Sequence, residues 1–244
     1  MTEPLIQTFP AEQDWAMWCA ARLSEALSEG LRDPAQDGWA VFAGAGGSTP
    51  EPIYRRLATM RSVADWQHTF VTLVDERYVP ETSPDSNAAL IKKTLMTGDA
   101  RQAEFLPLYR PAVTVDRAAA VAAHQLDVEL ESRRLDAVLL GMGDDGHICS
   151  MFPESPTLKT LLTPDLKRTV LGVPPGRDGA APPQERLSLN LPWLIGARRV
   201  VLAITGARKR AVLEREAAGD PRVQPVAALI AAHVPLEIAW VEKI

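Results

Sequence analysis

The stretch "LLGMGDDGHICSMFP" (139–153) sets three glycines, two aspartates and a histidine directly after an apolar run. Glycine spacing of this kind frees backbone N–H groups and lets the chain approach a ligand closely. Histidine titrates near neutrality, so a neutral imidazole at His147 can take a proton from water. The chemistry on offer is general-base catalysis. Zinc binding is a poor alternative, because the chain has four histidines and no HxxxH or CxxC spacing accompanies this one.

Three further clusters carry groups suited to an anion. In "GAGGSTP" (44–50), Gly46 and Gly47 allow a sharp turn, and Ser48 and Thr49 can donate hydroxyl hydrogen bonds. A helix starting there would add unpaired N–H groups and the positive end of its dipole. One of the two hydroxyls could instead simply cap that helix. The Gly-Lys-Ser/Thr ending of a Walker A loop is absent. In "VDERYVP" (74–80), alternation along an extended strand puts Asp75 and Arg77 on one side and turns Glu76 away. Arg77 suits a phosphate or carboxylate. "TGARK" (205–209) offers Lys209 on the first turn of a helix, and "PPQERLSLNLP" (182–192) offers Arg186.

The elements that must position these groups follow from periodicity. Helical spacing predicts helices over 11–31, 49–60, 86–96, 115–134, 206–219 and 225–233, with Ser86 or Asn87 capping the third. Apolar runs predict strands over 38–47, 68–79, 103–109, 135–142, 198–205 and 235–243. Residues 168–175 and 185–191 look extended, and the proline-rich stretch 173–186 reads as a loop or lid between them. Strands alternate with helices, which argues for one α/β domain over 1–244 with a mostly parallel sheet. Ligands of such sheets sit at the carboxyl ends of the strands, where the four clusters fall.

Composition narrows the function. A formal net charge of -5 makes nucleic acid or an acidic membrane a poor partner. No apolar run approaches the ~20 residues of a membrane span. The segment "MTEPLIQTFP" lacks the basic and apolar regions of a signal peptide. Two cysteines, Cys19 and Cys149, read as reduced thiols of a cytoplasmic protein.

Taken in order, "GGSTP" (46–50), "DERYVP" (75–80), "SN" (86–87), "GMGDDGHICSMFP" (141–153), "PPQERLSL" (182–189) and "TGARK" (205–209) resemble the 6-phosphogluconolactonase family. That family stands with the glucosamine-6-phosphate deaminases in one superfamily. The resemblance implies a Rossmann-like α/β fold, a mostly parallel central sheet flanked by helices on both faces. It implies hydrolysis of 6-phospho-D-glucono-1,5-lactone to 6-phosphogluconate in the oxidative pentose phosphate pathway, with no metal or organic cofactor. The implied partner is a small phosphorylated sugar lactone, met by a monomer or small homo-oligomer. His147 would be the base. Asp75 or Asp145 would orient it or contact sugar hydroxyls. Gly46, Gly47, Ser48, Thr49, Arg77, Arg186 and Lys209 would hold the phosphate.

Where the deaminases carry a catalytic glutamate in Asn-Glu-Pro, this chain has Phe152, which can carry no proton. Ile148 and Cys149 depart from the more common Thr and Ala, and a thiol there could make the site sensitive to oxidation. A phosphosugar deaminase and a non-catalytic phosphosugar-binding regulator remain the rivals. A serine hydrolase using Ser48 lacks the G-x-S-x-G elbow.

Overall fold

The computed structural model describes residues 6–60, 65–177 and 181–242. The first half of the segment "MTEPLIQTFP", residues 178–180 of the proline-rich loop and Lys243 of the last expected strand lie outside them. The strands are β1 (Ile6–Phe9), β2 (Ala40–Gly44), β3 (Thr69–Leu73), β4 (Asp75–Arg77), β5 (Glu104–Phe105), β6 (Ala137–Leu140), β7 (Val170–Val173), β8 (Arg186–Leu189), β9 (Arg199–Thr205) and β10 (Leu236–Val241). Seven of them form a sheet in the order β1-β10-β9-β6-β2-β3-β5, with every pair parallel. The other three form a small antiparallel sheet, β4-β8-β7.

Every residue of β2 and β3 is buried, which alternating side chains permit only if both faces of the sheet are covered. Much of that cover is α1 (Glu12–Arg32), which packs against β2, β6, β9 and β10. Its apolar positions repeat at helical spacing: Trp15, Cys19, Leu23 and Leu27 line one face and are fully buried. Burying a leucine of this kind is worth roughly 1.5–3 kcal/mol. The indole of Trp15 donates to the Ala239 carbonyl at 3.2 Å, pinning α1 to β10. The remaining helices are α2 (Glu51–Thr59), α3 (Asn87–Thr94), α4 (Val115–Leu130), α5 (Leu158–Leu161), α6 (Leu191–Ile195), α7 (Gly206–Ala217) and α8 (Pro225–Ala231). Prolines open α2, α6 and α8, where a missing N–H costs nothing. Among the described residues no helix is long and apolar enough to cross a membrane.

The expected strand over 68–79 is in fact two strands in two sheets. Val74 is the crossing point: its N–H bonds Gly44 O of the large sheet at 3.0 Å, and its carbonyl accepts from Leu189 N of the small sheet at 2.9 Å. The apolar run continued through the break and hid it. The expected strand over 103–109 shrinks to two residues at the sheet edge. β1, α5 and α6 were not anticipated; each has only four or five residues, too few for a period to register.

Candidate active site

Strands β9, β6, β2 and β3 are neighbours, so their carboxyl ends bring "TGARK", the glycine loop, "GAGGSTP" and "VDER" to one edge. The chain leaves β2 towards β3 on one side and joins β6 on the other. That reversal opens a crevice, the usual place for a ligand in such sheets. The resulting cavity measures about 240 Å³. Its lining includes Gly46, Gly47, Ser48, Thr49, Asp75, Arg77, His147, Arg186 and Lys209. Ala45, Asn87, Gly141, Met142, Gly143 and Cys149 complete it. Asp145 does not line the cavity but stands behind the histidine.

The β2–α2 turn is shaped for an anion. Gly47 has φ +88°, a conformation that a side chain disfavours. Pro50 is the N-cap of α2 and no side chain caps the helix, so the Ser48 and Thr49 hydroxyls are not used for capping. Tyr54 of α2 donates its hydroxyl to the Ala45 carbonyl at 2.5 Å, which fixes the start of the turn.

The small sheet supplies charge. Its register sets Arg77 opposite Arg186 and Asp75 opposite Ser188. Two guanidinium groups side by side repel each other and favour a shared anion. The Nε atoms of both are buried without a hydrogen-bond partner, an unmet demand of the kind a ligand meets. Burial pulls Arg186 below the ordinary arginine value; Asp75 pushes it up and Arg77 down again. The group nonetheless stays charged at neutral pH. Glu76 turns the other way. Its buried carboxylate accepts from Arg77 N, Asn87 N, Ala88 N and the Ser86 hydroxyl at 2.7–3.1 Å, so it anchors the start of α3. Ser86 itself is the N-cap, accepting from Ala89 N.

Asp75 is held from three sides. Ser150 Oγ donates to its carboxylate at 2.7 Å, Asn87 Nδ2 approaches at 3.3 Å, and Arg186 stands 3.8 Å away. Asp145 is the carboxylate on the imidazole: its Oδ1 lies 2.5 Å from His147 Nδ1 and accepts from His147 N at 3.2 Å. Burial alone would raise the Asp145 pKa, but the hydrogen bond and charge of His147 outweigh it and hold the carboxyl below its ordinary value. An ionised Asp145 can only accept, so Nδ1 carries a proton, and in the neutral imidazole Nε2 is the nitrogen with the free lone pair. Room for this arrangement depends on Gly143, where a Cβ would overlap the His147 ring.

The turn after His147 doubles back through an Ile148–Met151 bridge, with Cys149 at φ +54°. It delivers Phe152 against the imidazole, with centroids 4.2 Å apart and planes at 35°. Cys149 is buried, and burial followed by the charge of Asp75 pushes its thiol well above the usual range. Burial thus disfavours the thiolate, the reactive form of the group whose oxidation was expected from sequence. Asn87, Ser150 and Gly143 were not singled out as site residues from sequence, although Asn87 belongs to the quoted "SN". The parts of Asn87 and Ser150 depend on contacts with Asp75 that no local spacing encodes, whereas Gly143 acts within its own glycine loop, four residues from His147. Among the described residues no three His, Cys, Asp or Glu side chains stand close enough to hold a metal ion.

A parallel sheet with a cationic, histidine-bearing cleft at its carboxyl edge puts the chain among the α/β proteins that take small ligands at strand ends. Residues 10–240 match the family described as glucosamine-6-phosphate isomerases/6-phosphogluconolactonase, and the chain belongs to that family. It is 37% identical to a 6-phosphogluconolactonase of Caulobacter vibrioides, over 97% of each chain. It is 38% identical to a 6-phosphogluconolactonase of Mesorhizobium japonicum, over 95% of this chain and 93% of the other. The crystal structure of a 6-phosphogluconolactonase from Shewanella baltica superposes with a TM-score of 0.87 at 28% identity, covering 98% of both.

Proposed function

We propose that this protein hydrolyses 6-phospho-D-glucono-1,5-lactone to 6-phosphogluconate, with His147 as general base. One observation carries the reading: an imidazole whose Nδ1 is committed to Asp145 shares a cavity with Arg77, Arg186 and Lys209. The cations and the Gly46–Thr49 turn grip the phosphate, with arginine able to bind in a two-pronged fashion. Asp75 accepts from a sugar hydroxyl. Nε2 takes a proton from water as the water oxygen bonds to the lactone carbonyl carbon. Backbone N–H groups of the glycine loop stabilise the oxyanion. Collapse breaks the bond to the ring oxygen, which takes the proton back from the imidazolium, and the acid formed releases its own proton to solvent. The site of action is the cytoplasm, where two unpaired thiols stay reduced.

A general base of this kind contributes roughly 10²–10⁴-fold. His147→Ala should lower kcat on freshly made lactone by that order, after subtraction of spontaneous hydrolysis, and leave the fold intact. Native turnover in the variant would remove His147 from the mechanism. A coupled ammonia assay with glucosamine 6-phosphate tests the rival deaminase, and ammonia release at a rate matching lactone hydrolysis would favour it.

A further inference from the structure

In the sequence, Phe152 matters for what it excludes, the carboxylate of a deaminase. In the fold it has contacts of its own. It is 2% exposed, its ring lies against the His147 imidazole, and the Arg186 guanidinium carbon sits 5.7 Å from its ring centroid. The backbone that carries it is fixed. Met151 N bonds Ile148 O at 3.0 Å, and the Ile148 and Met151 side chains are fully buried. Ser150 bolts the same turn to the small sheet, donating its N–H to Ser188 Oγ at 3.2 Å and its hydroxyl to Asp75.

A single hydrogen bond from Nδ1 to Asp145 does not by itself set the plane of the imidazole ring. A flat, immobile face against the ring sets it. We propose that Phe152 is a positioning residue: its ring fixes the plane of His147, and so the direction in which Nε2 points. The proposal rests on His147 being the base. Its energetic basis is orientation, for displacement of a reacting group by about 1 Å can cost roughly 10²-fold.

Three measurements decide it. Phe152→Leu keeps an apolar filling but loses the planar face, and should lower kcat roughly 10–10²-fold while KM for the lactone moves much less. Phe152→Tyr restores the face and should recover most of the turnover. In the native protein, NMR should show the carbon-bound ring protons of His147 displaced by the ring current of Phe152, and the displacement should vanish in Phe152→Leu. Native kcat in Phe152→Leu, a loss confined to KM, or unshifted His147 protons in the native protein would each overturn the proposal, the last even if the leucine variant fails to fold. His147→Gln separates this from the reading beneath it. Native turnover in that variant overturns the base assignment itself, whereas an inactive His147→Gln beside a fully active Phe152→Leu overturns only the role of Phe152.

Discussion

Asp145 and His147 are two positions apart in the chain, and the glycines around them let both side chains turn to the same side. The consequence for chemistry is the choice of tautomer. An ionised carboxylate at Nδ1 keeps a proton there, so in the neutral ring the lone pair is on Nε2. Asparagine at 145 preserves size but can donate as well as accept, so it stabilises the tautomer with its lone pair on the wrong nitrogen. Asp145→Asn should therefore lower kcat by roughly 10²–10⁴-fold, as loss of the orienting carboxylate does in catalytic triads. KM should change little, because Asp145 does not line the cavity. Steady-state kinetics on the lactone checks this, and a variant impaired only in KM would assign Asp145 to binding instead. Asp75, held by Ser150, Asn87 and Arg186, has no such contact with the imidazole.

At the scale of elements, the strand ends were legible because apolar runs that close in glycine or charge are local signals. "LDAVLLGM" and "GWAVFAGAGG" contain the strands β6 and β2, and the motifs begin where those strands stop. The break at Val74 was not legible, since it is made by hydrogen bonds to Gly44 and Leu189, residues remote in sequence. The same break turns Asp75 and Arg77 towards the cavity and Glu76 towards α3. Glu76 is thus the joint between the small sheet and the helix that supplies Asn87. Removing its carboxylate strands buried N–H groups, each costing about 1–3 kcal/mol when left unsatisfied. Glu76→Ala should lower the thermal midpoint by many degrees and raise KM, because Arg77 and Asn87 both lose an anchor. Thermal unfolding and kinetics test the two together, and an unchanged midpoint would show that the joint is held elsewhere.

Over the whole molecule, the two ends of the large sheet have different tasks. The carboxyl end holds the cleft, and the amino end is tied by an ionic network. Fully buried Asp136, just before β6, accepts from Gln36 Nε2, Val41 N and Arg198 Nε at 2.5–3.0 Å. Arg198 continues to Asp33 at the end of α1, which also accepts from Arg134 at 2.7 Å. The Ala35 N–H, then Arg198 and Arg134, hold the Asp33 carboxyl down to about 2 from its ordinary 3.8. The unfolded chain therefore binds this proton more tightly than the folded one. Stability from Asp33 is fully present above 3.8 and is lost as the pH falls towards about 2. Asp33→Asn should unfold at a lower temperature than the native protein at neutral pH, and the gap should close over that acid window. Asp136 is pushed the opposite way by burial and is common to both proteins, so the difference reports Asp33 together with its coupling to Asp136 through Arg198. Calorimetry at a series of pH values measures the gap, and one that stayed constant into acid would mean the carboxylate's charge contributes nothing there. Turnover at neutral pH should be unaffected, because the network lies at the far end of the sheet from the cleft.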